Sequence, residues 1–384
     1  MRAKRLVITL LVVAFFAIAK VATTVYHCSS HSDIKAEQSD IICRCNYLTD
    51  KLVTSPQGVI DMMPNITDVQ FQGEWALYSC SMFSSALVNI SRLYPQTAEQ
   101  NRQNIACLID IVCSREIRRY DSSRWGESAL TSLDGDNSHI SYLSHLAWMI
   151  CGYKLAGGGS KYDKLLDDIC EAMNRRIVQS QAYNLPTYPG EPIYIPDMLV
   201  AIVALKQYAD MNNGLYRTTV DSWLERAKSD WIDSDSGLLV SFLNYDGSQF
   251  ANAPVKGSYS ALSCYYLTLV DEQFALEQYN ALKQHLWCDG LIAGVKEQAD
   301  GFMFDIDIDA GPILFGLSPS GTAFYAGAAT YFGDESVRNA ILRTAEIAGT
   351  TIGFGDSRHY MLANVAIVGE AIMLCMRTNK RAIE

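Results

Sequence analysis

Beyond residue 40 the chain is written in a helical period. In some stretches apolar residues recur at the three- and four-residue spacing of an amphipathic helix. In the neighbouring stretches they run on with almost no polar face. This pattern predicts helices over 41–53, 72–94, 97–119, 139–156, 161–181, 196–211, 215–231, 258–270, 272–287, 319–332, 335–351 and 358–377. Short polar turns such as Gly157-Gly158-Gly159-Ser160 and Asn212-Asn213-Gly214 join them in pairs. Twelve helices in six hairpins is the count for an all-α, (α/α)6 toroid, with apolar helices inside and amphipathic ones outside. Repeats of this kind bury a face only by stacking on their neighbours.

One predicted inner helix, Tyr142 to Tyr153, is apolar almost all the way round and carries His145 within it. A titratable group in such a place needs a partner or a purpose. A satisfied core histidine and a functional one both fit the pattern.

Three connections are too long to be plain turns, and long ordered loops in compact domains tend to carry function. The first, Tyr120 to Asn137, holds Trp125. The second, Tyr183 to Asp197, has four prolines, with Tyr188 and Tyr194 among its aromatics; proline stiffens such a loop by fixing φ. The third, Asp300 to Ser320, contains Asp305, Asp307 and Asp309 alternating with Ile306 and Ile308. In an extended segment the three carboxylates share one face, with the isoleucines packed beneath. They are expected to rim the toroid mouth, alongside Tyr245 in a short β-hairpin predicted over 237–255.

The N-terminus reads as an export signal or an uncleaved anchor. Arg2, Lys4 and Arg5 precede an apolar run from Leu6 to Ala19. The expected organisation is 1–27 signal peptide or membrane anchor, 28–40 polar linker and 41–384 toroid domain. The positive end should stay cytoplasmic, leaving the body outside. Two glycosylation sequons, Asn65-Ile66-Thr67 and Asn89-Ile90-Ser91, bear on a eukaryotic host only.

Composition narrows the function classes. With 49% hydrophobic and 19% charged residues, the chain of 384 is globular with a large core. A net charge of −11 argues against nucleic acid, whose phosphates need a basic surface. No zinc-finger or P-loop spacing occurs, and His139 and His145, six apart, do not share a helix face, so neither a metal site nor a cofactor is expected. The eleven cysteines have no disulfide framework and lie mostly in apolar helical patterns. The sequence fits a monomer or a homo-oligomer.

From Gln72 to Met376 the chain resembles the linalool dehydratase/isomerase family. The resemblance is carried by Tyr78-Ser79-Cys80-Ser81-Met82-Phe83-Ser84-Ser85-Ala86-Leu87, Arg124-Trp125-Gly126, Ser144-His145-Leu146 with Gly152-Tyr153, Gly190-Glu191-Pro192 and Asp307-Ile308-Asp309-Ala310-Gly311. It implies an exported helical toroid with a central site. His145 falls on the family's histidine, Tyr78 on its tyrosine and Asp61 loosely on its aspartate. The family's two cysteines fall on Gly190 and near Asp197, so the monoterpene substrate does not carry over.

These observations give three expectations. The first is a lyase or isomerase using His145 and Asp197 as a proton-transfer pair, with Tyr78 as donor to a small hydroxylated substrate. Trp125, Tyr188, Glu191, Tyr194, Tyr245 and the three aspartates would bind that substrate. The second is a glycan-active hydrolase or lyase using paired carboxylates. The third is a membrane-anchored binding or scaffold protein without turnover.

Overall fold

The computed structural model describes residues 2–30, 33–64, 69–251, 253–301 and 303–381. Its helices, in chain order, are α1 (Arg2–Ser30), α2 (Ile34–Leu52), α3 (Pro56–Asp61), α4 (Val69–Leu93), α5 (Ala98–Val112), α6 (Arg115–Trp125), α7 (Ile140–Leu155), α8 (Asp163–Gln179), α9 (Ile195–Met211), α10 (Arg217–Asp230), α11 (Gly257–Leu267), α12 (Glu272–His285), α13 (Pro319–Phe332), α14 (Glu335–Gly349) and α15 (Ile367–Thr378). Helices α4, α7, α9, α11, α13 and α15 each pack on the next, and α15 closes on α4. Around this ring stand α2, α5, α8, α10, α12 and α14. The molecule is an α/α toroid.

The two rings follow from the two kinds of helix. Every residue of α7 from Ile140 to Gly152 is buried, and α9, α11 and α13 are buried on nearly all faces. On α8, by contrast, Leu166, Ile169, Cys170, Met173 and Ile177 form one buried stripe. Its outer face carries the exposed Lys164–Asp168 pair at 2.8 Å. Burying each large aliphatic side chain contributes about 1.5–3 kcal/mol, so the inner ring holds most of the cohesion.

Direction matters more than the count. The links from inner to outer helices are short: 94–97, 156–162, 212–216, 268–271 and 333–334. Those from outer to inner are long: 126–139, 180–194, 231–256, 286–318 and 350–366. All inner helices therefore start at one face, and all the long connections crowd that face.

Strands occur only in the long connections. β1 (Ile193–Tyr194) pairs antiparallel with β2 (Phe242–Leu243). β3 (Trp287–Cys288), β4 (Gly294–Lys296), β5 (Phe304–Asp307), β6 (Gly311–Leu314) and β7 (Leu317–Ser318) form a sheet in the order β3-β4-β7-β6-β5. β8 (Thr351–Phe354) and β9 (Ser357–Tyr360) form a hairpin. Glycine is required where this sheet meets the ring. A Cβ on Gly257 would stand 1.9 Å from the Lys296 carbonyl oxygen, and one on Gly321 would stand 3.0 Å from the Ser258 nitrogen.

Several sequence expectations are corrected. The helix expected over 97–119 breaks at Ser114, whose hydroxyl caps α6 by accepting from Ile117 N. The helix expected from 358 begins at Ile367, because the β-rich run 351–360 folds on itself around Gly355, at φ 61. The expected 237–255 hairpin reduces to a tight turn closed by Leu243 opposite Gln249, while β2 pairs with the distant β1. The stretch read as a polar linker, 28–40, is largely helical. Asp33 caps α2, and Glu37 and Asp40 are buried against arginines rather than solvated. Asn89 is buried inside α4 and accepts no sugar there; Asn65 lies outside the described residues.

α1 lies against the end of α14, where the Lys20 ammonium donates to the Glu346 carbonyl at 2.8 Å. Among the described residues no helix is long and apolar enough to cross a membrane. The cysteines are all free thiols.

Candidate active site

Two inner helices and the 180–194 connection aim four groups at one spot. Asp197 lies in the first turn of α9, and Glu74 and Tyr78 lie one turn apart on α4. Residues four apart on a helix share a face, so Glu74 and Tyr78 point the same way. The Tyr78 hydroxyl donates to Asp197 Oδ1 at 3.1 Å, and the Thr187 hydroxyl donates to Oδ2 at 2.6 Å.

Among the described residues no cation forms an ion pair with either acid, although the charge of Arg124 lowers Glu74. Burial raises Asp197 to about 6, although the hydrogen bonds from Thr187 and Tyr78 pull it down. The start of α9 also favours the anion at this position. Glu74 is pushed further, to about 8, first by burial and then by the charges of Asp197 and Asp309. A hydrogen bond from Tyr188 works in the opposite direction. Two neighbouring carboxyls thus differ in proton affinity by environment alone, which is how acid and base roles separate at neutral pH.

A ring of aromatics and two neutralised cations surrounds the acids. Tyr194 packs on Phe242 and Tyr259, with ring centroids 5.4 and 6.0 Å away. The Tyr259 hydroxyl donates to Asp309 at 2.8 Å. The Arg124 guanidinium stacks on Tyr188 at 4.3 Å and is paired to Glu191. The Lys256 ammonium holds Asp307 at 2.8 Å, with Glu297 and Asp309 each at 3.7 Å. Burial works against that ammonium, but its acidic neighbours outweigh it and raise it. Asp309 is itself raised by burial, against the pull of Lys256 and Tyr259.

His145 sits one layer deeper, with its ring 4.3 Å from that of Tyr78. Its Nδ1 bonds the Ser81 hydroxyl at 2.8 Å, while Nε2 is buried without a partner. Burial lowers it to about 3, so the imidazole is neutral across the physiological range. The direct His145–Asp197 pair expected from the sequence is not formed, because Tyr78 stands between them.

The structure therefore brings Tyr78, Asp197, Tyr188, Glu191, Tyr194, Asp307 and Asp309 to one mouth, with His145 beneath. It leaves others outside. Asp61 is exposed at the end of α3, where Gln57 donates to it at 2.7 Å. Tyr245 is exposed at its turn. Asp305 is exposed and accepts from the adjacent Ile306 nitrogen. Trp125 packs on His139 at 5.3 Å, behind Arg124.

The expected common face of the three aspartates fails for a topological reason. β5 is the edge strand of its sheet, and Ile306 is 86% exposed rather than packed beneath. Its last residue, Asp307, turns instead to accept from the Asp309 and Ala310 nitrogens.

The sequence reading missed Glu74, Thr187, Lys256 and Tyr259. For Glu74 the signal was present: an acid four residues before Tyr78 in an apolar helix. The other three became visible only through the ring. Among the described residues no group of three or more His, Cys, Asp or Glu is placed to hold a metal ion.

Comparison with known proteins supports the toroid. No family profile matches the chain, and no curated protein matches it. Among solved structures, it is similar to a glycoside hydrolase of family 105 from C. acetobutylicum ATCC 824. That likeness has a TM-score of 0.54 at 12% identity, over 79% of this chain and 92% of that one. It is also similar to the Lin0763 protein from Listeria innocua, with a TM-score of 0.50 at 10% identity over 87% and 96% of the two chains. At such identities the likeness establishes a shared fold: this chain folds as a helical toroid of the kind those two proteins adopt.

Proposed function

We propose that the chain is a glycan-active hydrolase working at the toroid mouth, outside the cytoplasm. The observation that carries this reading is the placing of two carboxyls at the mouth, Asp197 held by the Tyr78 and Thr187 hydroxyls and Glu74 one turn from Tyr78 on α4; desolvation raises both, Glu74 to about 8 and Asp197 to about 6. Between those values one proton is shared by two acids. Glu74 keeps it and acts as general acid; Asp197 lacks it and acts as general base. In the proposed step, Asp197 takes a proton from water as the water oxygen bonds to the anomeric carbon. Glu74 gives its proton to the departing glycosidic oxygen, and the carbon–oxygen bond breaks. A base that activates water, rather than attacking carbon itself, inverts the anomeric configuration. Tyr194, Tyr259 and Tyr188 offer flat faces for sugar rings, and Asp309 offers an acceptor for hydroxyls.

The fold shared with a glycoside hydrolase is consistent with this reading but does not carry it. The same acid and base would also serve addition or elimination of water. That lyase or isomerase reading ranks second, because the family's two cysteines fall on Gly190 and near Asp197, where this chain has no thiol.

The test is a panel of neutral and acidic oligosaccharides, assayed with the wild type, Glu74→Gln and Asp197→Asn. Turnover by the wild type, with loss of about a hundredfold or more in each variant, is expected. Binding without turnover, or full activity in both variants, would refute the hydrolase assignment.

A further inference from the structure

The mouth face carries a second feature that the acids do not use. Its long connections are apolar at the surface on one side only. On 286–318, Met303, Phe304, Ile306, Leu314 and Phe315 are exposed, with Ile306 at 86%. On 350–366, Phe354 is exposed at 89%, and Met361, Leu362 and Val365 are exposed as well. The neighbouring 231–256 adds Tyr245 and Phe250. These three connections are consecutive around the ring. The connections 126–139 and 180–194, on the far side, expose no large apolar side chain among the described residues. Elsewhere on the toroid such residues are scattered singly, as is ordinary for a protein surface. Exposed apolar side chains gathered on successive connections of one face are not ordinary and mark an interaction surface.

α1 identifies what meets this surface. Lys20 bonds Glu346 and Thr350 at the end of α14, whereas Cys28 feels the charges of Glu346 and Arg343 further back. α1 thus runs antiparallel to α14. Because α14 ends at the mouth face, the residues of α1 before Lys20 extend beyond that face, roughly 27 Å for Arg2 to Ala19. Its described side chains there, Val12, Phe15, Phe16 and Ile18, are exposed. An apolar helix therefore leaves the toroid at the edge of the apolar patch and points away from the mouth.

We infer that this half of the mouth docks on a lipid bilayer, with α1 entering the lipid beside the β5–β6 and β8–β9 hairpins. A bilayer accepts a helix and two hairpin tips together without matching them in shape. The net charge of −11 selects a zwitterionic surface over an anionic one. In this pose the far half of the mouth, with Tyr188, Glu191 and Arg124, stays open to water. The cavity then faces material held at the membrane. The docking does not depend on the hydrolase reading, and its test uses no substrate.

The experiment is hydrogen exchange on the full chain, with and without phosphatidylcholine vesicles. Amides of 303–315 and 354–365 should slow on vesicle addition, while the opposite-face turns 156–162 and 212–216 should not change. Ile306→Ser with Phe354→Ser, in the full chain, should lower vesicle partitioning by about tenfold or more per side chain. Because both positions are exposed, the fold should be retained, with an unchanged circular dichroism spectrum. Adding anionic lipid should weaken binding. Unchanged exchange at the two hairpins in vesicle-bound protein would overturn the inference. So would wild-type partitioning in the double variant, or tighter binding to anionic vesicles.

Discussion

Two clusters of ionisable groups in this toroid, one buried and one half-buried at the mouth, are built on opposite principles. One joins the outer helix α2 to α14 and α15. Arg44 there binds Asp40 at 2.9 Å, Glu370 at 2.7 Å and the Thr351 hydroxyl at 2.6 Å, while Arg377 binds Asp40 at 2.7 Å. The other is the Glu74–Asp197 site, where the partners within hydrogen-bond reach are hydroxyls. Burial opposes the charge of Asp40, but Arg377 and Arg44 win and hold it far below the usual carboxylate range. Burial opposes the charge of Asp197 too, and there the hydroxyls do not offset it. The same side chain becomes a permanent anion in one place and a titrating acid in the other. The first arrangement pins the chain; the second keeps a proton to move.

The largest expected effect separates the two clusters by function. Glu74→Gln should lower kcat by about 10²–10⁴ while leaving the Tm at or above that of the wild type. A melting temperature that falls with activity per folded molecule intact would make Glu74 a structural acid.

The next effect is the mirror image. Arg44→Met should leave Glu370 buried without its cation and Asp40 with Arg377 in place of two arginines, and cost about 3–5 kcal/mol in urea unfolding. Activity per folded molecule should persist. A stability loss below about 1 kcal/mol would mean that the network contributes little.

The pH dependence of stability should differ in sign between the clusters. Asp40 is depressed in the folded state, so its contribution is present above the unfolded value of about 3.9 and fades as pH falls below it. Asp197 is raised to about 6, so its protonated form stabilises the fold at low pH, and that advantage is lost as pH rises through about 6. Asp197→Asn should therefore raise the Tm at pH 8 and have little effect at pH 4. An equal gain at both would contradict the assigned environment.

The smallest effect tests Tyr78, which lowers Asp197 by donating to it. Tyr78→Phe should move the acid limb of the pH–rate profile upward by a fraction of a unit and cost about tenfold or less in rate. A limb that stays in place would remove Tyr78 from the site's electrostatics.

The same contrast explains what could be read from the chain. The toroid was legible because inner and outer helices differ in periodicity: α7 is buried all round and α8 along one stripe. Asp197 was legible as an acid at the end of the proline-rich loop, and Tyr78 through the family resemblance. Lys256 and Tyr259 were not, because only ring closure brings α11 beside the loop of Asp309. Glu37 and Asp40 misled for the reverse reason. Acids beside a polar stretch read as solvated linker; Asp40 has Arg44 one turn away, but Arg338 and Arg377, which bury Glu37 and Asp40, lie about three hundred residues away, a separation no local pattern encodes.

The central claim is that Glu74 is a neutral acid at pH 7 next to an ionised Asp197. Difference infrared titration of the carboxyl C=O band, comparing the wild type with Glu74→Gln from pH 5 to 9, measures it directly and needs no substrate. The account predicts a protonated-carboxyl band in the wild type at pH 7, lost with a midpoint near 8 and absent from the variant. A wild-type spectrum with no protonated carboxyl above pH 6 would contradict it.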